Sequence, residues 1–445
     1  EAFGSQGQVG TAPAGPALGL NGTQIVRRTG SLSILEDALS GFDVGGSLKF
    51  PFSDDLLMRV NGSYYEFGSG TSRRDGFSVG LGVDFDQPFG VDGARLSIGA
   101  ERIDDSRNGV DFAGFLRVDI PLGNQAGRGA SDKPLNAIER ELTRGVNRRG
   151  WMVTDVQVVD NRTVTQLTDA PSGQGLDAFF VAETRQGAGD CTLVANACTV
   201  ADIAALAGAG DIIVLVDAGG AITSVVTANA DRQQVIGGGA SGNATVTLSD
   251  AASTLFTFSG LGTRPPIAGI NINGRTDVNI DGMTVGAGGI TGTGVNGQIT
   301  INDVVVNGGT VNVSSTTGAQ VAITNNTVDG GAASGIVVSS SAAGGLILNL
   351  SGNTVSTTGA VPAVDVSGGA SDQVIVSGFA NNTVTGTGGV RFDNVTFDAD
   401  GNTANGITNV AGGTLNIGAA GVPVTGDGLR LNSVLGSVSF TTLNV

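Results

Sequence analysis

Apolar and polar positions alternate along residues 42–122 in five successive runs. In the clearest run, apolar side chains occupy every second position from Phe77 to Phe85, with Ser78 and Asp84 among the residues between them. A period of two is typical of a β-strand with two different faces. Clusters of Gly, Asp, Ser and Asn separate the runs, so the pattern predicts antiparallel hairpins in a meander. The other four runs cover residues 42–52, 56–64, 96–100 and 112–120.

The face opposite the apolar one is polar and carries both signs of charge. Because a soluble sandwich shows the same alternation, the pattern leaves contact with lipid and contact with a protein core both open. Strands of this length with aromatic residues near their ends suit an outer-membrane barrel with a polar lumen. Five strands are too few to close such a barrel, so three alternatives stay open: strands preceding Glu1, association of chains, or a sheet outside the membrane. The polar face consists of Arg59, Asn61, Ser63, Asp84, Arg95, Glu101, Asp111, Arg117 and Asp119.

A helix is predicted after the last of these strands, over residues 131–144. Ser131 or Asp132 can cap it, Pro134 suits its first turn, and three apolar residues fall on one stripe. Its basic end could pair with acidic groups of the sheet or lie in solvent, where the helix dipole favours positive charge. The stripe is Leu135, Ile138 and Leu142, and the basic residues are Arg140, Arg144, Arg148 and Arg149.

From about residue 200 the sequence repeats loosely. A short strand signal that ends in valine recurs at intervals of 21, 22, 27 and 29 residues, with second short strands between the copies. Such a repeat predicts a parallel β-helix, in which each coil buries Val, Ile and Leu and stacks Asn or Thr at its corners. A Greek-key sandwich is the alternative. The terminal valines are Val285, Val306, Val328, Val355 and Val384, and the second strands cover 335–338, 363–366 and 389–392.

Residues 199–216 predict a cap at the start of this β-helix. A short helix at 199–207 and a buried strand at 211–216 would cover the open edge of the first coil. No matching cap follows Val434, and the chain begins without Met, so we expect a piece of a longer protein. The predicted fold is all-β, with an antiparallel β-meander or partial barrel over residues 1–125, a helix and linker over 126–160, and a right-handed parallel β-helix over 161–445.

Composition and charge exclude several functions. The 445 residues include 40 acidic and 23 basic side chains, a net charge of −17, and no His. Mechanisms that need a histidine base or ligand are therefore excluded, and the negative charge disfavours binding to nucleic acid. Residues 1–150 carry 16 basic and 19 acidic side chains, whereas residues 151–445 carry 7 and 21. No window of about 20 apolar residues predicts a membrane-spanning helix.

The two cysteines, Cys191 and Cys198, are separated by six residues. With no His and no further Cys they cannot complete a tetrahedral zinc site, and their spacing is not that of a redox C-x-x-C motif. We therefore predict a small structural disulfide, which implies an oxidising compartment. Two buried reduced thiols are the alternative.

The Asp residues of the β-helix are the remaining candidates for chemistry. The nearest approach to a site combines Arg391, Asp393, Asp398 and Asp400. Most Asp residues lie beside Gly or Asn in turns, where capping of the local backbone is their ordinary role. The calcium-binding nonapeptide repeat and the P-loop signature are both absent. We expect no catalytic residue, no cofactor and no metal site, so the chain is not predicted to be an enzyme.

Two parts of the sequence resemble known families. Residues 200–239 resemble the start of a pectin-lyase-type right-handed β-helix. Five segments of the first part resemble the later half of an inverse-autotransporter (intimin/invasin-like) β-domain and its exit linker. That family has a twelve-stranded outer-membrane barrel that displays a C-terminal passenger, whereas about five strands are predicted here. The five segments are residues 39–46, 64–67, 96–101, 116–123 and 140–159.

These features together predict a bacterial cell-surface protein of structural or adhesive function that displays its β-helix outward. Its expected partners are the outer membrane or neighbouring copies of itself, with a host or polysaccharide surface as a further partner and no nucleic acid. A subunit of a self-assembling extracellular filament or surface layer is one alternative. A polysaccharide lyase or hydrolase of β-helix type is the second alternative.

Overall fold

The chain forms two compact units, Glu1–Gly15 with Gly30–Arg162, and Pro16–Thr29 with Thr163–Val445. The predicted helix at 131–144 and its basic residues lie outside the described residues. The computed structural model describes residues 7–38, 40–53, 55–69, 72–86, 88, 94–106, 109–119, 154–341, 345–369, 374–386, 388–418, 424 and 426–444.

The first unit contains the predicted antiparallel meander. Its five strands pair in chain order, each with its neighbour in the sequence. Tyr64 lies opposite Phe77, and Leu81 lies opposite Ala100, so the apolar positions of adjacent strands share one face. The strands are β3 Ser40–Ser53, β4 Leu56–Ser69, β5 Ser72–Asp86, β6 Arg95–Asp105 and β7 Gly109–Asp119.

A second antiparallel sheet contains strands that the alternation did not predict. Its longest pairing joins residues 32–38 to residues 154–160 within the first unit. A shorter pairing joins residues 26–29 to residues 163–166 within the second unit. The strands are β1 Gly7–Asn21, β2 Gln24–Ala38, β8 Thr154–Asp160 and β9 Thr163–Gln166.

The second unit is a parallel β-helix with three faces, A, B and C. Strands β16 and β12 pair at the start, and the two ends of β16 then continue into faces B and C. Face A comprises β10 Ala178–Val181, β11 Ile212–Leu215, β13 Gln234–Ile236, β17 Asn279–Asp281, β20 Gly297–Asn302, β23 Ala319–Thr324, β26 Leu346–Ser351, β29 Val374–Gly378, β32 Val395–Phe397 and β35 Leu435–Gly436. Face B comprises β18 Thr284–Val285, β21 Val305–Asn307, β24 Thr327–Asp329, β27 Thr354–Thr357, β30 Asn382–Gly386, β33 Val410–Ile417 and β36 Val438–Asn444. Face C comprises β19 Ile290–Gly292, β22 Val311–Ser315, β25 Ile336–Ser340, β28 Val364–Gly368, β31 Val390–Asp393 and β34 Leu429–Asn432, and the initial pair is β12 Ile222–Thr227 with β16 Pro266–Asn271.

The predicted repeat is confirmed by the register of face B. Each repeat valine pairs with the next, from Val285 through Val306, Val328 and Val355 to Val384. All five valines are buried, so they form one continuous row of the core. The parallel pairing also rules out the Greek-key alternative.

Asparagine and aspartate occupy the corner between faces A and B. Asp303, Asn325 and Asn381 have φ values of 52°, 57° and 58°, and Gly352 has 73° at the same corner of another coil. This left-handed region suits Gly and tolerates Asn and Asp better than other residues. The repeat predicted Asn at the corners of the coils, and Asn325 and Asn381 confirm it, whereas Gly282 and Gly352 occupy this corner in two other coils.

The first coils differ from the rest in one respect: both sides of face A are covered there. Strand β11 is buried at all four positions, as its continuous apolar sequence predicted. A hairpin inserted between β13 and β16 supplies Phe256 and Phe258 to the second core cluster, which also includes Ile25. The hairpin consists of β14 Ala244–Thr247 and β15 Leu255–Phe258.

Helical structure is sparse in the described residues. The one described α-helix is α1 Val200–Leu206, and short 3-10 turns lie at Val194–Asn196 and Thr403–Asn405.

Candidate functional site

The apolar face of the five-stranded sheet is exposed. On the central strand β5, Leu81 is 57% exposed, whereas Ser78 and Asp84 on the opposite face are 1% exposed. The outward side is therefore apolar and the covered side is polar. We call the outward side the apolar face; its large exposed members are Phe42, Val44, Leu48, Phe50, Phe52, Met58, Tyr64, Phe77, Val79, Leu81, Phe85, Ile98, Val110, Phe112, Leu116 and Val118.

Glycines on the polar face make room for long side chains from neighbouring strands. A Cβ added at Gly80 would lie 2.7 Å from the side-chain oxygen and nitrogen of Asn61. The guanidinium of Arg59 lies 5.3 Å from the ring centroid of Phe115, a cation–π distance. The Tyr65 hydroxyl donates a 2.6 Å hydrogen bond to Asp105. On the central strands the polar positions thus form a packed, hydrogen-bonded layer, whereas Asp111 and Arg117 on the edge strand β7 are exposed.

The predicted disulfide between Cys191 and Cys198 is present, which excludes the reduced alternative. Both cysteines are buried and bond to the backbone of β10. Phe180 N–H donates to the Cys191 carbonyl, and Cys198 N–H donates to the Phe180 carbonyl, both at 2.9 Å. The disulfide loop therefore covers the edge of β10 opposite β11, which is a structural role.

The predicted short helix at 199–207 is confirmed as α1, directly after the disulfide. Thr199 and Asp202 form a capping box at its N-terminus. Arg185 and the Thr199 N–H both bond the Asp202 carboxylate and hold its pKa well below the usual range. Ile203 of α1 is buried in the main core, so the helix is fixed to the first coils.

The structure gives separate partners to the four residues that the sequence singled out for chemistry. Arg391 donates to Asp365 in the coil before at 2.8 and 2.6 Å, and Asp393 accepts from an amide in the coil after. Asp398 accepts from the backbone and hydroxyl of Thr408, which lower its pKa. Asp400 caps the following turn. Among the described residues, no hydrogen bond or ion pair joins Arg391 to Asp398 or Asp400, so they do not form one site.

A buried carboxylate cluster near the first coils was missed by sequence reasoning. Asp211 is 4% exposed and accepts backbone hydrogen bonds from Asp177 and Gly208 at 2.9 and 2.6 Å. Its burial raises its pKa to about 6. Asp169 is also buried, but hydrogen bonds from Arg232 and Ser172 outweigh burial and lower its pKa to about 2. These positions are far apart in the sequence, and no motif links them. They meet only because the first coils stack on one another.

Within the described part of the chain, no three side chains of His, Cys, Asp or Glu gather closely enough to hold a metal ion. The described residues also include no helix of the length and hydropathy needed to cross a bilayer. No protein-family model, curated protein or solved structure matches the chain. The class of the protein is therefore defined by its fold, an antiparallel meander combined with a parallel β-helix, and the apolar face is its strongest functional candidate.

Proposed function

We propose that this chain is a bacterial cell-surface protein of structural or adhesive function. In this proposal the five-stranded sheet contacts the outer membrane and the β-helix presents its surface outside the cell. The observation that carries it is the inverted polarity of β5, where Leu81 is exposed and Asp84 is buried. Exposed apolar patches of this extent mark sites of protein or membrane contact.

Lipid is the environment that favours such an inverted sheet. A sheet of a water-soluble domain turns its apolar side to the core, whereas a sheet in an outer membrane turns it to acyl chains and keeps polar residues inside. The polar side of the central strands is already packed, with Ser63 and Ser78 in hydrogen-bond contact at 2.8 Å. The apolar face therefore remains the side available to a partner. The resemblance to inverse autotransporters supports the same assignment.

The β-helix supports a presenting role rather than catalysis. Arg391, Asp393, Asp398 and Asp400 are each engaged in contacts that hold coils or turns together. The disulfide is consistent with an oxidising compartment outside the cytoplasm. A host or polysaccharide surface is the proposed partner of this unit.

Extraction from the cell envelope tests the proposal. The chain is expressed in a Gram-negative bacterium, and envelopes are washed with salt, with urea and with detergent before electron microscopy. We expect release only by detergent, as single particles that carry a protruding rod. Release without detergent as regular polymers would overturn the membrane contact and favour the filament alternative, in which neighbouring copies cover the apolar face.

A depolymerase assay on pectic and related polysaccharides tests the lyase alternative. We expect no cleavage by the chain or by its Asp393→Ala variant. Cleavage that is lost in Asp393→Ala would contradict the non-catalytic proposal, in which the hydrogen bond that Asp393 accepts from Asn432 serves to hold two coils together.

A further inference from the structure

Four described aspartates of the second unit are buried, and Asp398 differs from the other three. Asp169, Asp211 and Asp250 each have a hydrogen-bond donor at both carboxylate oxygens. Asp398 is 0% exposed, and its Oδ2 has no hydrogen-bond partner among the described residues. A buried carboxylate oxygen without a donor or a cation is costly, because burial removes the water that would solvate its charge.

Asp250 shows how the same local arrangement is completed elsewhere in the β-helix. It accepts from the backbone N–H of Thr254 at one oxygen and from the Thr254 hydroxyl at the other. The guanidinium of Arg27 lies 3.5 Å from the second oxygen. Asp398 accepts from the N–H and hydroxyl of Thr408 at 2.9 and 2.7 Å, but both bonds go to Oδ1. Its Oδ2 therefore lacks the donor and the positive charge that Asp250 has.

A second carboxylate lies beside this oxygen-rich turn. Asp400 is exposed, and its side chain and backbone both interact with Asp398. An ionised carboxylate has no proton to donate, so Asp400 brings negative charge to Asp398 rather than a hydrogen bond. Two neighbouring carboxylates, one of them buried with a free oxygen, are stabilised by a cation.

The sequence of this turn partly matches a calcium-binding loop. Asp398, Asp400 and Asn402 place oxygen-bearing side chains at its first, third and fifth positions, as such loops do. Its glycine, Gly401, stands at the fourth position instead of the sixth, and Asn409 stands where such a loop has a bidentate glutamate. The turn therefore offers fewer charged ligands than a full calcium-binding loop.

We propose that the loop of residues 398–408 binds a calcium ion, with Asp398 Oδ2 and the Asp400 carboxylate as its charged ligands. Amide or carbonyl oxygens of the loop and water complete the coordination. Oxygen ligands in an irregular loop suit Ca²⁺, whose coordination is flexible, better than Mg²⁺, which demands near-ideal octahedral geometry. Two carboxylates are below the three acidic side chains that would mark a metal cluster in the described part of the chain. The expected Kd is about 0.1–1 mM, as in extracellular calcium-binding modules.

The ion would fix this loop to the outward side of face A. A Cβ added at Gly401 would lie 3.1 Å from the Ile347 side chain of β26, and one added at Gly436 of β35 would lie 2.9 Å from Ile407. The loop thus extends over four neighbouring strands of face A, from β26 to β35. Calcium bound at Asp398 would hold these coils together. The inference does not depend on the membrane contact, because the loop belongs to the second unit.

Equilibrium dialysis of the full chain against ⁴⁵Ca²⁺ tests the inference. A background of about 0.15 M KCl screens the diffuse attraction between the acidic surface and cations. We expect saturable binding of one ion, and at least about tenfold weaker binding by Asp398→Asn, because affinity follows the number of charged ligands. Asparagine keeps the Oδ1 acceptor for Thr408 and replaces Oδ2 with a nitrogen that does not bind calcium. Asp250→Asn is the matched control and should bind calcium as the wild type does.

Thermal unfolding of the same variants shows whether the loop remains folded. In EDTA, Asp398→Asn should unfold at the same temperature as the wild type or above it, because it removes an unpartnered buried charge. About 10 mM CaCl₂ should raise the Tm of the wild type and of Asp250→Asn by about 3–8 °C, and that of Asp398→Asn by less than about 1 °C.

Three results would overturn the inference. The first is the absence of saturable binding by the wild type, which together with a more stable Asp398→Asn variant would assign Oδ2 to a proton shared with Asp400. The second is equal binding by the wild type and Asp398→Asn, which would place the ion elsewhere. The third is equal affinity for Mg²⁺, which would contradict the choice of calcium.

Discussion

The two units share one alternation of apolar and polar residues and expose opposite faces of it. In the β-helix, Val328 and Val355 are fully buried, and the Thr residues beside them point outward. In the five-stranded sheet, Leu81 is exposed and Ser78 is buried. A period of two therefore defines strands and their two faces, but it does not say which face meets the solvent.

The residues of the covered face account for this difference. In the β-helix the covered positions are bulky and branched, such as Ile323 and Leu350, so they fill a core. On the central strand of the sheet they are small or polar, such as Gly80, Gly82 and Asp84, and cannot form an apolar core. The residues on both faces of a strand therefore indicate which face is buried better than the apolar residues alone do.

Removal of one phenylalanine from each unit should have the most unequal effect. Phe379 is fully buried, with its ring 5.0 Å from that of Phe392, so Phe379→Ala should cost about 3–5 kcal/mol of unfolding free energy. Phe112 is 74% exposed, so Phe112→Ala opens no cavity in the protein and should cost at most about 1–2 kcal/mol, the loss of its contact with detergent or lipid. Denaturant titrations of both variants in the same detergent measure the difference. Equal losses would mean that Phe112 is covered by protein.

A charge on the apolar face should be costly in lipid. Leu81→Arg should destabilise the reconstituted protein by about 2–4 kcal/mol, because Leu81 lies in the central row of the sheet. Leu255→Arg introduces the same charge at an exposed leucine of the second unit and should change stability by at most about 0.5 kcal/mol. Unfolding in vesicles measures both. If Leu81→Arg is as harmless as Leu255→Arg, the apolar face does not contact acyl chains.

The stability of the β-helix should decrease from mildly acidic to neutral pH. The pKa of Asp211 is about 6 in the folded protein, against about 3.9 in an unfolded chain. The folded state therefore binds this proton more tightly than the unfolded chain does. The contribution of Asp211 to the free energy of unfolding is complete below about pH 4 and is lost as pH rises through 6. The loss should amount to about 2–3 kcal/mol. Ionised Asp169 stabilises the folded state, and this contribution is lost only as pH falls towards 2.

Thermal unfolding of the second unit at pH 5 and pH 7.5 measures this effect. Asp211→Asn should reduce the difference between the two pH values, and Asp217→Asn, at an exposed position, should leave it unchanged. A wild-type unit that is more stable at pH 7.5 than at pH 5 would contradict the assignment to Asp211.

The sequence predicted what depends on local pattern and missed what depends on assembly. The five alternating strands, the valine register, the disulfide and helix α1 all follow from signals within a few residues or from a regular repeat. Strand β1 was missed because its Gly, Ala and Pro residues give no alternation. The Asp169–Arg232 ion pair joins positions 63 residues apart, and coil stacking alone brings them together. The exposed side of the sheet could not be predicted because alternation is symmetric between lipid and core.

Polar groups inside the β-helix are tolerated where they bond to one another, and Asn353 is the clearest case. Its Oδ1 accepts from the Asn326 backbone and its Nδ2 donates to the Ile323 carbonyl, at 3.1 and 2.8 Å. Its backbone N–H donates to Asn382 in the next coil. Asn353→Ala leaves the Asn326 and Ile323 groups buried without these partners and should cost about 1–3 kcal/mol.

The matched control for Asn353→Ala is Asn349→Ala, because Asn349 is an exposed asparagine of the same coil. Its loss should cost at most about 0.5 kcal/mol. Thermal unfolding of the two variants therefore separates the asparagine ladder from general sensitivity of the coil. Equal stability of both variants would mean that water replaces the hydrogen bonds of the Asn353 amide. The interior of the β-helix would then admit water at this position.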